Sequence, residues 1–254
     1  MASKVLILTA TISPPPTAPG MVRLDSTIRL QDYREALCYY VSSLGELIDK
    51  IAFIDNSGFN LDELSTEFDS FVKDKKLFFF QTNGNSYPPL YGRCFGEANI
   101  LDFVMQSKFV DTLASDTIFW KVTGRYKLVN MEAVLRTRPT DTDFYMDLRA
   151  TRRSRWADMR VFSWTKSGFK SIFADIGPLI REDLRHGRPG EEAAYDVVLS
   201  RMLDTKVTVC TCFITEPLLD GVRGFDNRNW STGRQRAVSW LRQRQRSLFK
   251  RILF

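Results

Sequence analysis

The feature that most constrains this chain is the regular alternation, over its first half, of short β-rich apolar runs with amphipathic segments. Residues 4–11 (KVLILTAT) form such a run and stop at Ser13-Pro14-Pro15-Pro16, a composition that ends a buried strand in a loop. Residues 32–48 then place Ala36, Leu37, Tyr40, Val41, Leu44 and Leu47 on one helical face behind an initial Asp32. A second run at 50–54 closes on Asp55-Asn56-Ser57-Gly58, and a helix is predicted over 61–72. A third run at 77–81 closes on Asn83-Gly84-Asn85-Ser86, a helix is predicted over 96–106, and a fourth run at 117–122 breaks at Gly124. Strands joined by helices need right-handed crossovers, so the order predicts an open, mainly parallel sheet flanked by helices.

The second half has a different texture. Residues 144–148, 159–164 and 169–173 read as shorter strands around Arg-rich turns, 191–202 as a helix, and 206–214 as a late strand. No linker separates the halves. The expected organisation is one domain over 1–233, with a nucleotide-binding half to about residue 130 and an acceptor-side half over 131–233, followed by a helical tail at 234–254.

Charge is divided unevenly along the chain. The net charge is +6, yet residues 223–254 hold nine Lys or Arg against Asp226 alone, leaving the preceding body slightly acidic. A polyanionic partner would therefore meet the C-terminus. Residues 234–254 place Ala237, Val238, Leu241, Leu248, Phe249, Ile252 and Leu253 in one helical arc, with Arg236, Arg244, Arg246, Lys250 and Arg251 across from it. Such a helix suits an anionic membrane surface, with packing against the body or a partner helix as the alternative. The near-neutral body argues against nucleic acid as a partner. No apolar run approaches the length of a membrane span, and Met1 leads directly to Lys4 and a strand, so a cytoplasmic protein is expected. The four scattered cysteines fit a reducing compartment. Cys210 and Cys212 share a strand face, but no further Cys or His completes a zinc site.

Ligands of open α/β sheets lie outside the carboxyl ends of the strands, which singles out residues 9–13, 55–58, 83–96 and 123–126. Thr9, Thr11 and Asn56 fall in these loops. The Asp55 carboxylate matches the donors of a ribose or a base, unless 55–58 is a plain surface turn. Tyr91, Gly92, Gly96 and Glu97 bring an aromatic face, close backbone approach and a helix start suited to a diphosphate. No Gly-Lys-Thr loop and no strict GxGxxG is present, which argues against a P-loop or dinucleotide fold. Lys121-Val122-Thr123-Gly124-Arg125-Tyr126 sets two cations around Gly124 at a strand exit. Alternation aims Lys121, Thr123 and Arg125 at the cleft together, although Arg125 is equally compatible with a buried salt bridge.

The order of Arg23, Asp25, Arg29 and Tyr33, then Ile54-Asp55-Asn56-Ser57-Gly58, then Tyr91-Gly92 through Gly96-Glu97, then Lys121 to Tyr126, resembles a group of bacterial glycosyltransferase-like proteins of capsule and O-antigen biosynthesis, over about residues 4–130. The resemblance implies a GT-A-like fold, in which a nucleotide-diphosphate sugar lies across the strand ends and a glycan acceptor, expected to be lipid-linked, approaches from the C-terminal half.

Many GT-A enzymes hold a divalent metal, Mg or Mn, on the diphosphate with Asp-x-Asp at the fourth strand's end. This chain has Lys-Val-Thr-Gly-Arg there, so Lys121 and Arg125 are candidates to neutralise the diphosphate in its place. Asp141-Thr142-Asp143 has the letters of the motif but sits in a Pro-containing loop, where an ordinary turn is the alternative. Transfer with inversion needs a carboxylate base. The candidates are Glu192 first, then Glu191, both at a helix start, and Asp147. Helix-start acids also serve merely as dipole partners. The sole histidine, His186, is read as a surface residue. Arg228, Ser231 and Thr232 are candidates to touch phosphate oxygens from a late loop, with Trp230 excluding water.

Overall fold

Side chains on successive residues of a strand face opposite ways, and β1 (Lys4–Ala10) uses both faces: Val5 and Ile7 enter one core, Leu6 and Leu8 the other. β1 therefore lies at the centre of the fold. The structure is a computed structural model, and it describes residues 2–18, 20–151, 154–182 and 188–253, with side chains to Arg246.

β2 (Lys50–Asp55), β3 (Leu77–Gln81) and β4 (Ile118–Thr123) run parallel to β1. β5 (Lys127–Leu128) pairs apart with a short late strand. β6 (Phe144–Ala150), β7 (Arg155–Trp164) and β8 (Val209–Cys210) complete a seven-stranded sheet of order β3-β2-β1-β4-β7-β6-β8. β7 alone is antiparallel to its neighbours, and β9 (Leu219–Asp220) is the partner of β5. The mainly parallel α/β architecture expected from the alternating runs is present.

The helices cover both faces. On one lie α1 (Ser26–Val41), α2 (Asp62–Glu67) and α3 (Asp69–Lys73). On the other lies α4 (Gly92–Met105), followed by the short α5 (Lys108–Asp111). α6 (Met131–Arg136) joins the first face. A single turn, α7 (Lys166–Gly168), together with α8 (Gly190–Leu203), joins the second. α9 (Gly233–Leu253) ends the described chain. Among the described residues no helix is long and apolar enough to cross a membrane.

Several expectations need correction. α1 begins at Ser26, not at 32, because the Asp25 carboxylate accepts hydrogen bonds from the Thr27 and Ile28 amides at 2.8 and 3.0 Å. The helix expected over 61–72 is broken at Phe68, which leaves helical geometry between α2 and α3. Residues 169–173, expected as a strand, continue α7 as a π-type helical turn. The Thr165 hydroxyl caps the Gly168 amide at 3.1 Å, and Phe169 and Phe173 meet on one helical face, 5.7 Å apart. Only 209–210 of the strand expected at 206–214 pairs in the sheet. Beyond it the chain turns inward, with the Ile214 amide on the Tyr145 hydroxyl at 2.8 Å.

The tail helix also presents an unexpected face. Arg246, placed with the outward cations by the sequence, points into the body. It donates to both oxygens of Asp147 at 2.8 Å and to Glu216 at 2.7 Å, while Trp240 and Leu241 stay more than half exposed. Two buried carboxylates attract the guanidinium more strongly than apolar contact would hold the opposite face. Leu248, Phe249, Lys250, Arg251, Ile252 and Leu253 lie beyond the described side chains.

Candidate active site

The exits of β1, β2 and β4, the start of α4 and the start of α8 surround a cleft of 620 Å³. Its floor is the end of β1. The Thr9 hydroxyl donates to Glu97 Oε1 at 2.9 Å, and the Thr11 hydroxyl donates to Asn56 Oδ1 at 2.7 Å. Arg29 of α1 is buried beside them and spends its guanidinium on backbone, with Nε on the Thr11 carbonyl at 2.7 Å and Nη1 on the Arg23 carbonyl at 3.1 Å. Those bonds fix the loop after β1.

Three close approaches shape the wall. Gly92 has φ +78°, and a Cβ there would meet the Glu182 carboxyl at 2.2 Å. A Cβ on Gly96 would lie 2.1 Å from the Tyr87 hydroxyl. Gly124 lets the β4 exit close on β1: its amide donates to the Thr9 carbonyl at 2.8 Å, and a Cβ would sit 2.9 Å from that oxygen.

The dominant chemistry of the cleft is cationic. Among the described lining residues are seven arginines, Arg29, Arg93, Arg125, Arg149, Arg160, Arg223 and Arg242, against three carboxylates, Glu97, Asp158 and Glu191. Trp230 organises part of the cluster, with Arg160 4.2 Å and Arg223 4.7 Å from its ring centre and Tyr126 edge-on at 6.1 Å. Asp158 is saturated: Arg149 reaches it at 2.7 Å and Arg160 Nε at 2.7 Å. Burial opposes its ionisation, yet Arg160 and Arg149 outweigh burial and hold its carboxyl well below the usual range. The register of β6 against β7 slips between Met146 and Leu148, an irregularity of the kind that re-aims side chains beside functional sites.

Of the residues singled out by sequence, Thr9, Thr11, Asn56, Gly92, Gly96, Glu97, Thr123, Arg125, Tyr126, Glu191 and Trp230 line this cleft. The others do not, each for a physical reason. Asp55 is fully buried behind it. Its two oxygens accept from the Ile12 amide at 2.7 Å, the Ser57 amide at 2.8 Å and the Ser57 hydroxyl at 2.6 Å, so its acceptor capacity is spent on holding loops. Lys121 is also wholly buried. Its ammonium lies on Glu97, on the Met159 carbonyl and, at 3.1 Å, on the Thr123 hydroxyl, which leaves no donor for a phosphate. Gly124 acts through its close packing on β1 and its amide bond to the Thr9 carbonyl. Tyr91 stands at the rim under the Arg181 guanidinium, 4.0 Å from its ring centre.

The late loop brings Trp230, named from the sequence, to the cleft, with Arg223 and Phe225 there in place of Arg228, Ser231 and Thr232. Arg228 is largely exposed and pairs loosely with Asp226. Ser231 is held by Asp220 at 2.7 Å, and Thr232 is exposed. Glu192 lies outside the cleft, near Arg155 at 3.9 Å. Asp147 is buried under Arg246 and Arg149, which removes it as a proton acceptor. Glu191 is the candidate base that faces the cleft. Its Oε2 is buried with no hydrogen-bond partner, and burial raises its carboxyl above the ordinary value, with Arg93 opposing. His186 lies outside the described residues.

Neither carboxylate set fits Mg or Mn. Asp141 is exposed, and Asp143 is occupied by Thr165 at 2.9 Å, Ser167 at 3.0 Å and the Thr208 amide at 3.1 Å. Both sit before β6, at the opposite end of that strand from Arg149, which lines the cleft. Near the cleft, Cys94, Glu182 and Glu191 bring ligand atoms within 4.8 Å of one another. One of them is a thiol whose pKa burial, and then the Glu191 charge, raise well above the usual value. Hard cations require oxygen donors.

The sequence carried signals for the missed cations. Asp147-x-Arg149 and Asp158-x-Arg160 repeat one spacing on adjacent strands, and residues two apart share a strand face.

Comparison with solved structures finds similar folds at low sequence identity. A protein from Desulfovibrio desulfuricans G20 assigned as a nucleotide-diphospho-sugar transferase superposes with a TM-score of 0.49 at 12% identity, covering 98% of this chain and 99% of that one. A 4-diphosphocytidyl-2C-methyl-D-erythritol synthase gives 0.45 at 9% identity, over 95% and 98% of the two chains. The glycosyltransferase GlyE of Streptococcus pneumoniae TIGR4 gives 0.45 at 6% identity, over 83% of this chain and 46% of that one. No protein-family model and no curated protein matches the sequence.

Proposed function

We propose that this chain is a GT-A-like glycosyltransferase, which moves a sugar from a nucleotide-diphosphate sugar to a hydroxyl of a lipid-linked glycan in bacterial surface polysaccharide synthesis. The observation that carries the reading is the arginine-rich cleft at the carboxyl ends of parallel strands. A diphosphate needs such a concentration of fixed positive charge, and the strand ends are where this architecture binds ligands. Glu191 is the base in this reading. It lines the cleft with its nearest cation, Arg93, 4.0 Å away, and takes the acceptor hydroxyl's proton as the new glycosidic bond forms and the nucleoside diphosphate departs. The outward face of α9 supports membrane placement, because exposed Trp240 and Leu241 share it with exposed Arg234 and Arg236. It would rest on the cytoplasmic face of the plasma membrane. Cosedimentation with anionic vesicles, absent with neutral ones, tests that part.

The central test is a thermal-shift panel of nucleotide sugars. A donor at about a hundredfold its Kd stabilises the fold by about 2.7 kcal/mol, a rise of several degrees in Tm. Absence of a shift with every nucleotide sinks the proposal. Glu191→Gln is expected to retain donor binding and lose most turnover. Donor binding by the native chain without turnover on any glycan acceptor would instead identify a non-catalytic nucleotide- or glycan-binding module.

A further inference from the structure

We infer that the diphosphate in this cleft is neutralised by arginine side chains, Arg125 and Arg223 foremost, and that binding needs no divalent metal. The inference rests on the nucleotide-binding reading above and adds what holds the phosphates.

Two of the cleft's three carboxylates are committed elsewhere. Glu97 is tied to Lys121 and Thr9, Asp158 to Arg149 and Arg160, and Glu191 stands beside Arg93 and the Cys94 thiol. A metal bound at any of them would have to break an existing ion pair or accept a protonated thiol in its shell. The residues at the β4 exit, where a metal-holding pair would stand, are Gly124 and Arg125.

The cations divide into spent and unspent. Arg29 is used on backbone carbonyls, Arg149 and Arg160 on Asp158, Arg242 faces Glu216 at 3.7 Å, and Arg93 faces Glu182 and Glu191 at 3.9 and 4.0 Å. Arg125 has no ion-pair partner among the described residues. One Nη donates to the Tyr126 hydroxyl at 3.2 Å, and its Nε is buried with no acceptor. Arg223 has Asp226 at 3.1 Å on one Nη and likewise a buried Nε without an acceptor. A buried charged donor without a partner is costly. Both side chains line the cleft, where the charge of a bound anion would offset that cost.

Both groups line the cleft, and the Arg125 guanidinium lies against the chain beside Arg223. A Cβ on Gly224, the neighbour of Arg223, would sit 2.7 Å from an Arg125 Nη. The Arg223 guanidinium rests on the Phe225 ring at 4.0 Å. Planar guanidinium forks each offer two parallel donors to phosphate oxygens, so two of them can bond the diphosphate oxygens that a metal would otherwise coordinate.

The experiment titrates the full chain calorimetrically with UDP, GDP, CDP and ADP, and with the corresponding nucleosides, in EDTA and again in excess Mn²⁺. For the diphosphate that binds, Kd in EDTA is expected within about threefold of Kd in Mn²⁺. Arg125→Gln and Arg223→Gln are each expected to weaken that diphosphate by about tenfold or more while leaving nucleoside affinity unchanged, with folding checked by circular dichroism. Arg125→Lys is expected to fall between, since it keeps the charge and loses the fork. Binding that requires Mn²⁺ overturns the inference and leaves the proposed function standing. So does equal loss of nucleoside and diphosphate in the variants. If no nucleotide binds in either condition, the proposed function falls, and this inference with it.

Discussion

Replacing Lys121 with Met separates its structural role from the phosphate-binding role its position in the sequence suggested. Lys121 is wholly buried, and its ammonium is the counterion of Glu97, whose side chain is 20% exposed. Methionine keeps most of the aliphatic stem, so packing changes little. What is lost is the charge and the bonds to the Thr123 hydroxyl and the Met159 carbonyl. Breaking one side of a buried pair costs about 3–5 kcal/mol, most of it the penalty of the stranded partner. Partial solvation of Glu97 argues for the lower end, about 3 kcal/mol. For a chain of this length that is a fall in Tm of about 6–12 °C. Adding Glu97→Gln removes the stranded charge while keeping an acceptor for Thr9, so the double variant should recover about 2 kcal/mol relative to the sum of the single changes. Urea unfolding of the four proteins measures the cycle. At temperatures well below its Tm, Lys121→Met should bind a nucleoside diphosphate within about threefold of the native chain. A loss of less than 1 kcal/mol, or additivity in the cycle, would refute the buried-pair argument. A tenfold loss of diphosphate affinity would restore Lys121 as a ligand.

Two further predictions concern other buried charges. Burial pushes Asp102 up to about 6 from an ordinary 3.8; a carboxyl raised in the folded state favours folding while protonated, so its contribution is present below about pH 4 and is lost as pH rises to about 6. Asp102→Asn should therefore raise Tm by about 2–4 °C at pH 8, for about 1 kcal/mol after allowing for partial solvation, and give no gain near pH 3.5; an equal gain at both, read by calorimetry, rejects the assignment. Arg246→Met leaves Asp147 and Glu216 short of their shared cation, and should cost about 3 kcal/mol while speeding amide exchange along α9; unchanged exchange over 234–246 would show that the helix is held by something else.

The parallel half of the fold was legible because its strands are buried on both faces. Runs such as Lys4–Ala10 and Lys50–Asp55 are apolar throughout, and nothing but a central strand suits them. The start of α1 was hidden because a charged side chain, Arg29, occupies a core-facing position that a periodicity argument reserves for apolar residues. Residues 169–173 are rich in aromatics and suggested a strand, yet Phe169, Ile172 and Phe173 recur at helical spacing, and that was the better signal. At the site, alternation correctly set Lys121 and Thr123 on one side of β4. It could not show that Glu97, 24 positions away on α4, would meet both. Pairing between distant charges is a property of the packed fold, and the same blindness made Asp147 look available as a base when Arg246, 99 positions later, covers it.

That long-range pairing changes what the charge distribution means. By sequence the surplus of positive charge belongs to the last thirty or so residues and implies that an external polyanion meets the tail. Folded, Arg246 and Arg242 answer Asp147 and Glu216 of the body, and Arg223 turns into the cleft. The tail thus spends its charge in two ways: one set of arginines binds the helix to buried acids, and Arg223 joins Arg125 where the strand exits converge. The outward cations that remain on the described part of α9 share their face with Trp240 and Leu241, a mixture suited to a lipid headgroup region more than to a nucleic-acid backbone. The strongest unspent positive charge is consequently inside the cleft, where low exposure and fixed geometry make each guanidinium worth more to a bound anion than it would be on an exposed helix.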